Sequence, residues 1–326
     1  MFKQYINKLH NLPEINYNKS KIIYSNINCF NDINERNNNK KNNDKKNNDK
    51  NNKIRENIIG AIINDKIDKT YYKYSFRWTK LHKLILKYIK KLTNNTEILQ
   101  IECIHKGGRK YKYDFELIIN DISYNIEFKF NTNTQYTTPQ FISLMKISKY
   151  LTNSFEEQFY DNYLLKLSKY LKTPIPEKEI YLKEINSPNP NCMKLYQQMY
   201  YNGCSTSSRY TNDKNHINFY KYANKLSRQF ITEFITNTEL STNILSQYLQ
   251  DTQANKIYML YNKHNIYLEH TDTDDYIISS YKKNPVKFRY ETVSRNGINM
   301  NILLRWKNGN GIAYPAIQIS SKIGKI

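Results

Sequence analysis

The chain has 326 residues, and its 50 Lys and Arg against 29 Asp and Glu give a formal net charge of +21 at pH 7. No run of 18 apolar residues occurs, which argues against a membrane-spanning helix, and residues 1–5 lead into no apolar stretch, so we expect no secretory signal. The four cysteines show no paired spacing, which is typical of a reducing intracellular compartment such as cytoplasm or nucleus. The excess of positive charge favours a polyanionic partner. A solvated basic surface without a specific ligand is the alternative.

The first part of the chain is predicted to hold little of the core. Residues 1–34 form a segment of uncertain structure, whose isoleucines and Phe30 could pack on the rest of the protein. Residues 35–56 are rich in Asn and Lys, and 36–53 contain no apolar residue. Such a tract cannot bury a core, so we expect 35–56 to be a disordered linker.

The next stretch predicts one amphipathic helix and then three strands. Over residues 71–92 the apolar positions recur every three or four residues, and lysines, Lys80 and Lys83 among them, occupy the other face. Two turn sequences, one rich in glycine and one Asn-Asp, divide the alternating stretches that follow. The predicted strands are 97–105, 111–119 and 122–130.

The remaining sequence mixes helices and strands. Pro139 opens a helical pattern that runs to Leu151, and 156–255 are predicted to be a mostly helical insertion. An Asn- and Gly-rich segment at 307–311 indicates a hairpin near the end of the chain. The predicted later strands are 256–262, 265–270, 286–293, 299–306 and 312–319. This order of elements predicts an α+β fold with a mixed sheet.

The candidate catalytic residues lie on the hairpin formed by the second and third predicted strands. If Asn120 and Asp121 form a two-residue turn, paired positions sum to 241, and Asp114 lies opposite Glu127 on one face. Opposed Cβ atoms lie about 4.5–5.5 Å apart, so two carboxylates there repel each other unless a cation compensates. Mg²⁺ is the natural candidate, and Lys129 projects over the same face. An ordinary solvated ion-pair cluster is the alternative, and a one-residue slip would separate the carboxylates.

The pattern Asp114-x12-Glu127-Phe128-Lys129 resembles the PD-(D/E)XK nuclease superfamily, which has the restriction-endonuclease-like fold. The resemblance implies an α-β-β-β-α-β core with a mixed sheet. It also implies that Asp114, Glu127 and the main-chain carbonyl of Phe128 hold Mg²⁺, with Mn²⁺ as a substitute, and that Lys129 assists the attacking water. Gln140, at the start of the next helix, matches the place where several members have a polar helper.

Two features depart from the family pattern. Tyr113 stands where the motif has proline, and the helix over 71–92 lacks the acid that the first helix of the family offers to the site. Glu97 and Glu102 are the nearest substitutes for that acid, and Glu102, within the first strand, is the better candidate. Arg109 and Lys110, beside the glycine turn, are expected at the rim of the sheet, where they could bind DNA together with Lys80 and Lys83.

These observations predict a metal-dependent DNA endonuclease that hydrolyses phosphodiesters with a metal-activated water. We expect its core at 71–155 and 256–326, the latter including C-terminal hairpins. RNA is an alternative substrate, and double-strand cleavage would require a homodimer or two successive nicks. A non-catalytic nucleic-acid-binding protein on the same fold and a basic structural or packaging protein are the alternatives. The Asn/Lys-rich composition also resembles that of proteins from large DNA viruses with A/T-rich genomes.

Overall fold

A computed structural model describes most of the chain, and the fold is α+β with several sheets. The described residues are 12–31, 44–107, 111–137, 139–141, 149–187, 189, 191–192, 195–196, 199, 213–262, 264–305 and 314–323. The chain divides into two compact units: 1–135 with 255–271, and 136–254 with 272–326. These boundaries differ from the expected division, because the C-terminal strands after 271 form a sheet of their own.

The first unit contains a five-stranded mixed sheet. Its strands are β3 (Ile101–His105), β4 (Phe115–Ile119), β5 (Ile122–Phe130), β7 (Lys256–Asn262) and β8 (Asn265–His270), in the order β3-β4-β5-β7-β8. Strands β3, β4 and β5 form an antiparallel meander, β7 runs parallel to β5, and β8 returns antiparallel to β7. A short hairpin of β1 (Ile15–Tyr17) and β2 (Ser20–Ile22) precedes this sheet in the chain.

The predicted register of the β4–β5 hairpin is confirmed. Phe115 pairs with Ile126 and Ile119 with Ile122, so every pair in this ladder sums to 241. The turn residues Asn120 and Asp121 both have positive φ, 47° and 67°, as a two-residue hairpin turn with the strand's twist requires. The side-chain Oδ1 of Asn120 also accepts hydrogen bonds from the main-chain N–H groups of Leu99 and Gln100, and these bonds connect the turn to the segment before β3.

Three helices and the N-terminal segment cover one face of this sheet. The helices are α1 (Asp44–Ile63), α2 (Lys69–Tyr74) and α3 (Phe76–Leu92). The predicted helix 71–92 is therefore two helices, because Ser75 has extended backbone and its hydroxyl caps α3 at the N–H of Trp78. Trp78 is fully buried, and its indole N–H donates to the carbonyl of Tyr24, 2.9 Å away, in the N-terminal segment.

Helix α1 corrects the prediction of disorder over 35–56. Residues 32–43 lie outside the described part of the chain, but from Asp44 onward the tract is helical. Isoleucines beyond the polar tract bury one side of the helix: Ile58, Ile59 and Ile62 are at most 3 % exposed. This apolar anchor stabilises a helix that extends back into a sequence with no core-forming residue of its own.

The second unit has its own sheet and a largely helical insertion. The sheet has the order β6-β12-β11-β10-β9, all antiparallel. Its strands are β6 (Pro139–Phe141), β9 (Ile278–Asn284), β10 (Arg289–Ser294), β11 (Ile298–Leu304) and β12 (Ile317–Ile323). The helices described here are α4 (Phe155–Gln158), a π-helical turn (Phe159–Leu164), α5 (Leu165–Leu171), α6 (Lys178–Ile185), α7 (Lys214–Asn237) and α8 (Thr242–Gln253). The predicted hairpin turn at 307–311 lies outside the described residues.

The helix predicted to start at Pro139 is wrong at its first three residues. Residues 139–141 form β6 and pair with β12, with Gln140 opposite Ile319. A partner strand nearly two hundred residues away decides this structure, and the helical spacing of Phe141, Leu144 and Ile147 does not reveal it. Residues 142–148 lie outside the part that the structure describes.

Candidate active site

Strand β5 directs its acidic and basic side chains to the face opposite to its core residues. Ile126 and Phe128 are 1 % and 5 % exposed and pack in the core beneath α3. Glu127 and Lys129 alternate with them and therefore lie on the opposite face of the sheet. There the side chains of Glu127 and Lys129 form an ion pair while keeping 13 % and 20 % of their surface exposed.

Asp114 lies immediately before β4 and is fixed by three hydrogen bonds, two to β5 and one to Lys106. Its carboxylate Oδ2 accepts from the N–H of Phe128 at 2.9 Å, and its own N–H donates to the carbonyl of Ile126 at 3.0 Å. Its carbonyl accepts from the N–H of Lys106 at 2.8 Å. The N–H of Asp114 thus bonds one residue away from the position that the 241 register assigns, because the regular ladder ends at Phe115. The carboxylate nevertheless reaches the segment that carries Glu127 and Lys129.

The electrostatics of Asp114 are those of a buried acid among other acids. Burial raises the pKa of the Asp114 carboxyl to about 8, and the negative charges of Glu127 and Glu56 add to this rise. The ammonium of Lys129 and the N–H of Phe128 oppose it. The cluster therefore holds more acids than cations, and in the metal-free protein the raised pKa keeps the Asp114 carboxyl largely protonated at neutral pH.

Lys129 is the cation at the centre of the cluster. Burial acts to lower the pKa of its ammonium, but the carboxylates of Glu127 and Asp114 outweigh burial, and the pKa is raised. Lys129 therefore stays protonated beside the two acids at neutral pH. It is positioned to attract an anion to this face of the sheet.

Glu56 of helix α1 is the residue that sequence reasoning missed. Burial raises the pKa of its carboxyl to about 7, the charge of Glu127 adds to the rise, and Lys129 and Lys53 oppose it. A helix before the meander thus contributes an acid, but from α1 and not from 71–92. Its sequence signal was the helical spacing of Ile54, Ile58 and Ile62, which the assignment of 35–56 to a linker concealed.

The oxygen donors at this site suit a hard divalent cation. The described residues, however, do not already form a complete metal-binding group. Among them, no group of three or more His, Cys, Asp or Glu lies close enough to ligate a metal ion. Both acids are engaged in the metal-free protein: Lys129 pairs with Glu127, and the N–H of Phe128 donates to one oxygen of Asp114. Carboxylate oxygens with surplus negative charge are nonetheless the ligands that Mg²⁺ prefers. Binding would require the Lys129–Glu127 contact to open.

The carbonyl of Phe128 is also suitably directed. In an antiparallel ladder the N–H and C=O of one residue face the same neighbouring strand. Since the N–H of Phe128 bonds to Asp114, its carbonyl faces the β4 side, where the Asp114 segment lies. The carbonyl oxygen thus fits the expected donor set.

The structure does not bring Glu102 into this cluster. Glu102 is exposed and pairs with Ile118, four positions along the chain from Asp114, which corresponds to about 13 Å. Gln140 belongs to β6 of the second sheet and not to a helix N-terminus.

The expected DNA-binding cations are separated from the carboxylates or not described. Lys80 and Lys83 lie on α3, whose apolar side packs against the sheet face opposite to Glu127. Their expected contribution beside the carboxylates is therefore not supported. Arg109 and Lys110 lie outside the described residues.

Comparison with known proteins adds no relative: no family model, no curated protein and no solved structure matches the chain. Within the described part of the chain, none of the helices has the length and apolar character needed to cross a membrane.

Proposed function

We propose that this chain is a Mg²⁺-dependent endonuclease that hydrolyses phosphodiester bonds in DNA. The observation that carries the proposal is the cluster of Asp114, Glu127, Lys129 and Glu56 on one hairpin and one helix. Three acids beside one lysine, two of them with pKa values raised to about 7 and about 8, are an arrangement that a divalent cation stabilises. A purely structural ion pair needs only one acid for each base.

The topology supports a restriction-endonuclease-like core. Helix α3 precedes an antiparallel meander, and the fourth strand, β7, joins parallel to the third. Helix α8 comes directly before β7 in the chain. Helix α8 lies within the second unit, which is inserted between β5 and β7, so the first unit has the order of the expected α-β-β-β-α-β core without its second helix.

The carboxylates of Asp114 and Glu127 and the carbonyl of Phe128 would hold Mg²⁺ or Mn²⁺, and the carboxyl of Glu56 would add negative charge beside these ligands. The bound cation would lower the pKa of a coordinated water and offset charge on the phosphate. Lys129, released from Glu127, would orient the attacking water and stabilise the negative charge that develops on phosphorus-bound oxygens. Asp114 keeps its position throughout because the N–H of Phe128 fixes one of its oxygens.

DNA is the substrate that the charge of the chain favours. With a formal net charge of +21, the protein gains affinity for a polyanion by counterion release. One such site cuts one strand, so double-strand cleavage would need a homodimer or successive nicks. Cleavage of a labelled RNA duplex beside a DNA duplex of the same sequence distinguishes the two substrates.

The test is the conversion of supercoiled plasmid to nicked circles. We expect nicking by the purified protein with Mg²⁺ or Mn²⁺ and none with a chelator, because the carboxylates alone cannot activate water. An Asp114→Asn protein purified in parallel controls for contaminating nucleases. Equal nicking by both proteins, or none by the wild type with either metal, would contradict the proposal.

A non-catalytic nucleic-acid-binding protein is the second candidate. The observation that favours it is the direct Lys129–Glu127 ion pair, which closes the site as it stands. In that case, salt-sensitive binding of the plasmid would occur without nicking. The same experiment, read by gel shift and by topology, separates the two functions.

Glu56 provides a sharper prediction. Glu56→Gln removes a negative charge beside the metal ligands, so we expect the cleavage rate at limiting Mg²⁺ to fall about 10–100-fold and more Mg²⁺ to be needed for half-maximal rate. Glu102→Gln, a matched loss of charge on the first strand, should leave the Mg²⁺ dependence unchanged. Titration of the nicking rate with Mg²⁺ measures both. A shift in the Glu102 variant alone would assign the third acid to β3.

A further inference from the structure

A second lysine lies on the site face of the sheet. Lys256 is the first residue of β7 and is only 9 % exposed. In the parallel β5–β7 ladder it pairs with Asn125, two residues before Glu127, and paired residues of neighbouring strands share a face. Lys256 therefore lies beside Glu127 and Lys129, on the side away from the apolar core.

The main chain of Lys256 is fixed, whereas its ammonium has no partner in the described part of the protein. The carbonyl accepts from the N–H of Thr271 at 3.3 Å and from its hydroxyl at 3.0 Å. No hydrogen bond or ion pair with a described residue involves the ammonium. Burial lowers the pKa of Lys256, the charges of Glu127 and Asp114 oppose that effect, and Lys129 and Lys112 reinforce it.

A mostly buried lysine without an ion pair is costly, and an anion that reaches its ammonium compensates for that cost. The nearest carboxylate, Glu127, already pairs with Lys129, so pairing does not explain Lys256. A polyanionic substrate brings a new anion to this face, and its phosphate is the group that two neighbouring cations attract.

We propose that Lys256 contacts a non-bridging oxygen of the phosphodiester that is cleaved, as a further catalytic residue beside Lys129. This inference rests on the proposed nuclease function. In the reaction, the oxygen of water bonds to phosphorus and the bond from phosphorus to one sugar oxygen breaks. One proton of the water ends on the released sugar hydroxyl and the other on the phosphomonoester or in solvent. The ammonium of Lys256 stabilises the charge on the phosphate oxygens during this exchange.

The experiment compares Lys256→Met with Lys256→Arg in the full-length protein. With enzyme in excess over a defined DNA duplex and saturating Mg²⁺, we expect Lys256→Met to slow cleavage about 100- to 1,000-fold. Lys256→Arg keeps the cation and should restore the rate to within about tenfold of the wild type. Lys69→Met, which removes an exposed lysine at the start of α2, is the matched control and should change the rate less than threefold, as expected for a surface charge.

Two further measurements separate catalysis from structure. Thermal unfolding of Lys256→Met should occur at or above the wild-type temperature, because an unpaired buried charge has been removed. Mg²⁺ affinity without DNA should be equal or tighter. A lower unfolding temperature, or arginine failing to restore the rate, would overturn the inference in favour of a structural role. An undiminished rate in Lys256→Met would overturn it alone, whereas absence of cleavage by the wild type would overturn the proposed function as well.

Discussion

Asp114→Asn is expected to reduce DNA cleavage by at least about 1,000-fold while making the metal-free protein more stable. Asparagine keeps an oxygen that accepts the hydrogen bond from the N–H of Phe128, so the hairpin is preserved. It removes the negative charge that would hold the cation and that repels Glu127 and Glu56. Activity and stability therefore change in opposite directions.

The stability gain of Asp114→Asn should depend on pH. The carboxyl of Asp114 has a pKa of about 8 in the folded protein, well above the ordinary 3.8. Between these values the folded chain binds more protons than the unfolded chain, so the free energy of unfolding falls as pH rises from about 4 to about 8. The Asp114→Asn protein lacks this carboxyl, so its free energy of unfolding does not fall with pH for this reason. Its advantage should be near zero below pH 4 and reach several kcal/mol above pH 8, since each pKa unit corresponds to about 1.4 kcal/mol.

Glu116→Gln is the matched control for this prediction. Glu116 is the second residue of β4 and lies two positions after Asp114. Its carboxylate accepts hydrogen bonds from Lys106 and Ser123, which hold its pKa below the ordinary value. We expect that variant to cleave DNA normally and to gain no stability. Denaturant unfolding in EDTA at pH 4, 6 and 8, beside plasmid nicking, makes the comparison. An Asp114→Asn protein that is less stable than the wild type at pH 8 would contradict the inference that repulsion among these acids destabilises the metal-free protein.

The hairpin could be predicted from sequence because its determinants are local. A two-residue turn and strict alternation over Ile122–Phe130 fix the register, and the structure has that register from Phe115 to Ile126. The hydrogen bonds of Asp114 could not be predicted. Its backbone bonds one residue out of register because the ladder ends there, and its side chain uses the N–H of Phe128. Alternation alone does not encode where a ladder ends.

Long-range packing accounts for what the sequence did not reveal. Glu56 joins the cluster because isoleucines after the polar tract dock α1 on the first unit, and composition alone suggests a linker there. Gln140 lies in a strand and not in the expected helix, because residues 139–141 pair with β12. In both cases a partner far along the chain decides the structure of a locally ambiguous segment. The acid missing from 71–92 was therefore present in the chain, one helix earlier.

Lys129→Met is expected to abolish cleavage, by about 1,000-fold or more, and to destabilise the metal-free protein. The substitution leaves Glu127 without its cation beside Asp114 and Glu56, in a site that is mostly buried. Breaking a buried ion pair by removing one partner costs about 3–5 kcal/mol, and the residual exposure of this pair reduces the expected loss to about 2–3 kcal/mol. This direction is opposite to that of Asp114→Asn.

Added Mg²⁺ distinguishes a metal site from a structural ion pair in the Lys129→Met protein. In the wild type a cation must displace the ammonium from Glu127, whereas in the variant the carboxylates are free to bind it. Mg²⁺ should therefore bind Lys129→Met more tightly and raise its unfolding temperature more than that of the wild type, without restoring cleavage. The double variant Lys129→Met/Glu127→Gln should recover most of the lost stability and no longer respond to Mg²⁺. Wild-type cleavage by Lys129→Met, or an equal Mg²⁺ response in all three proteins, would mean that the cluster neither binds the metal nor cuts the strand.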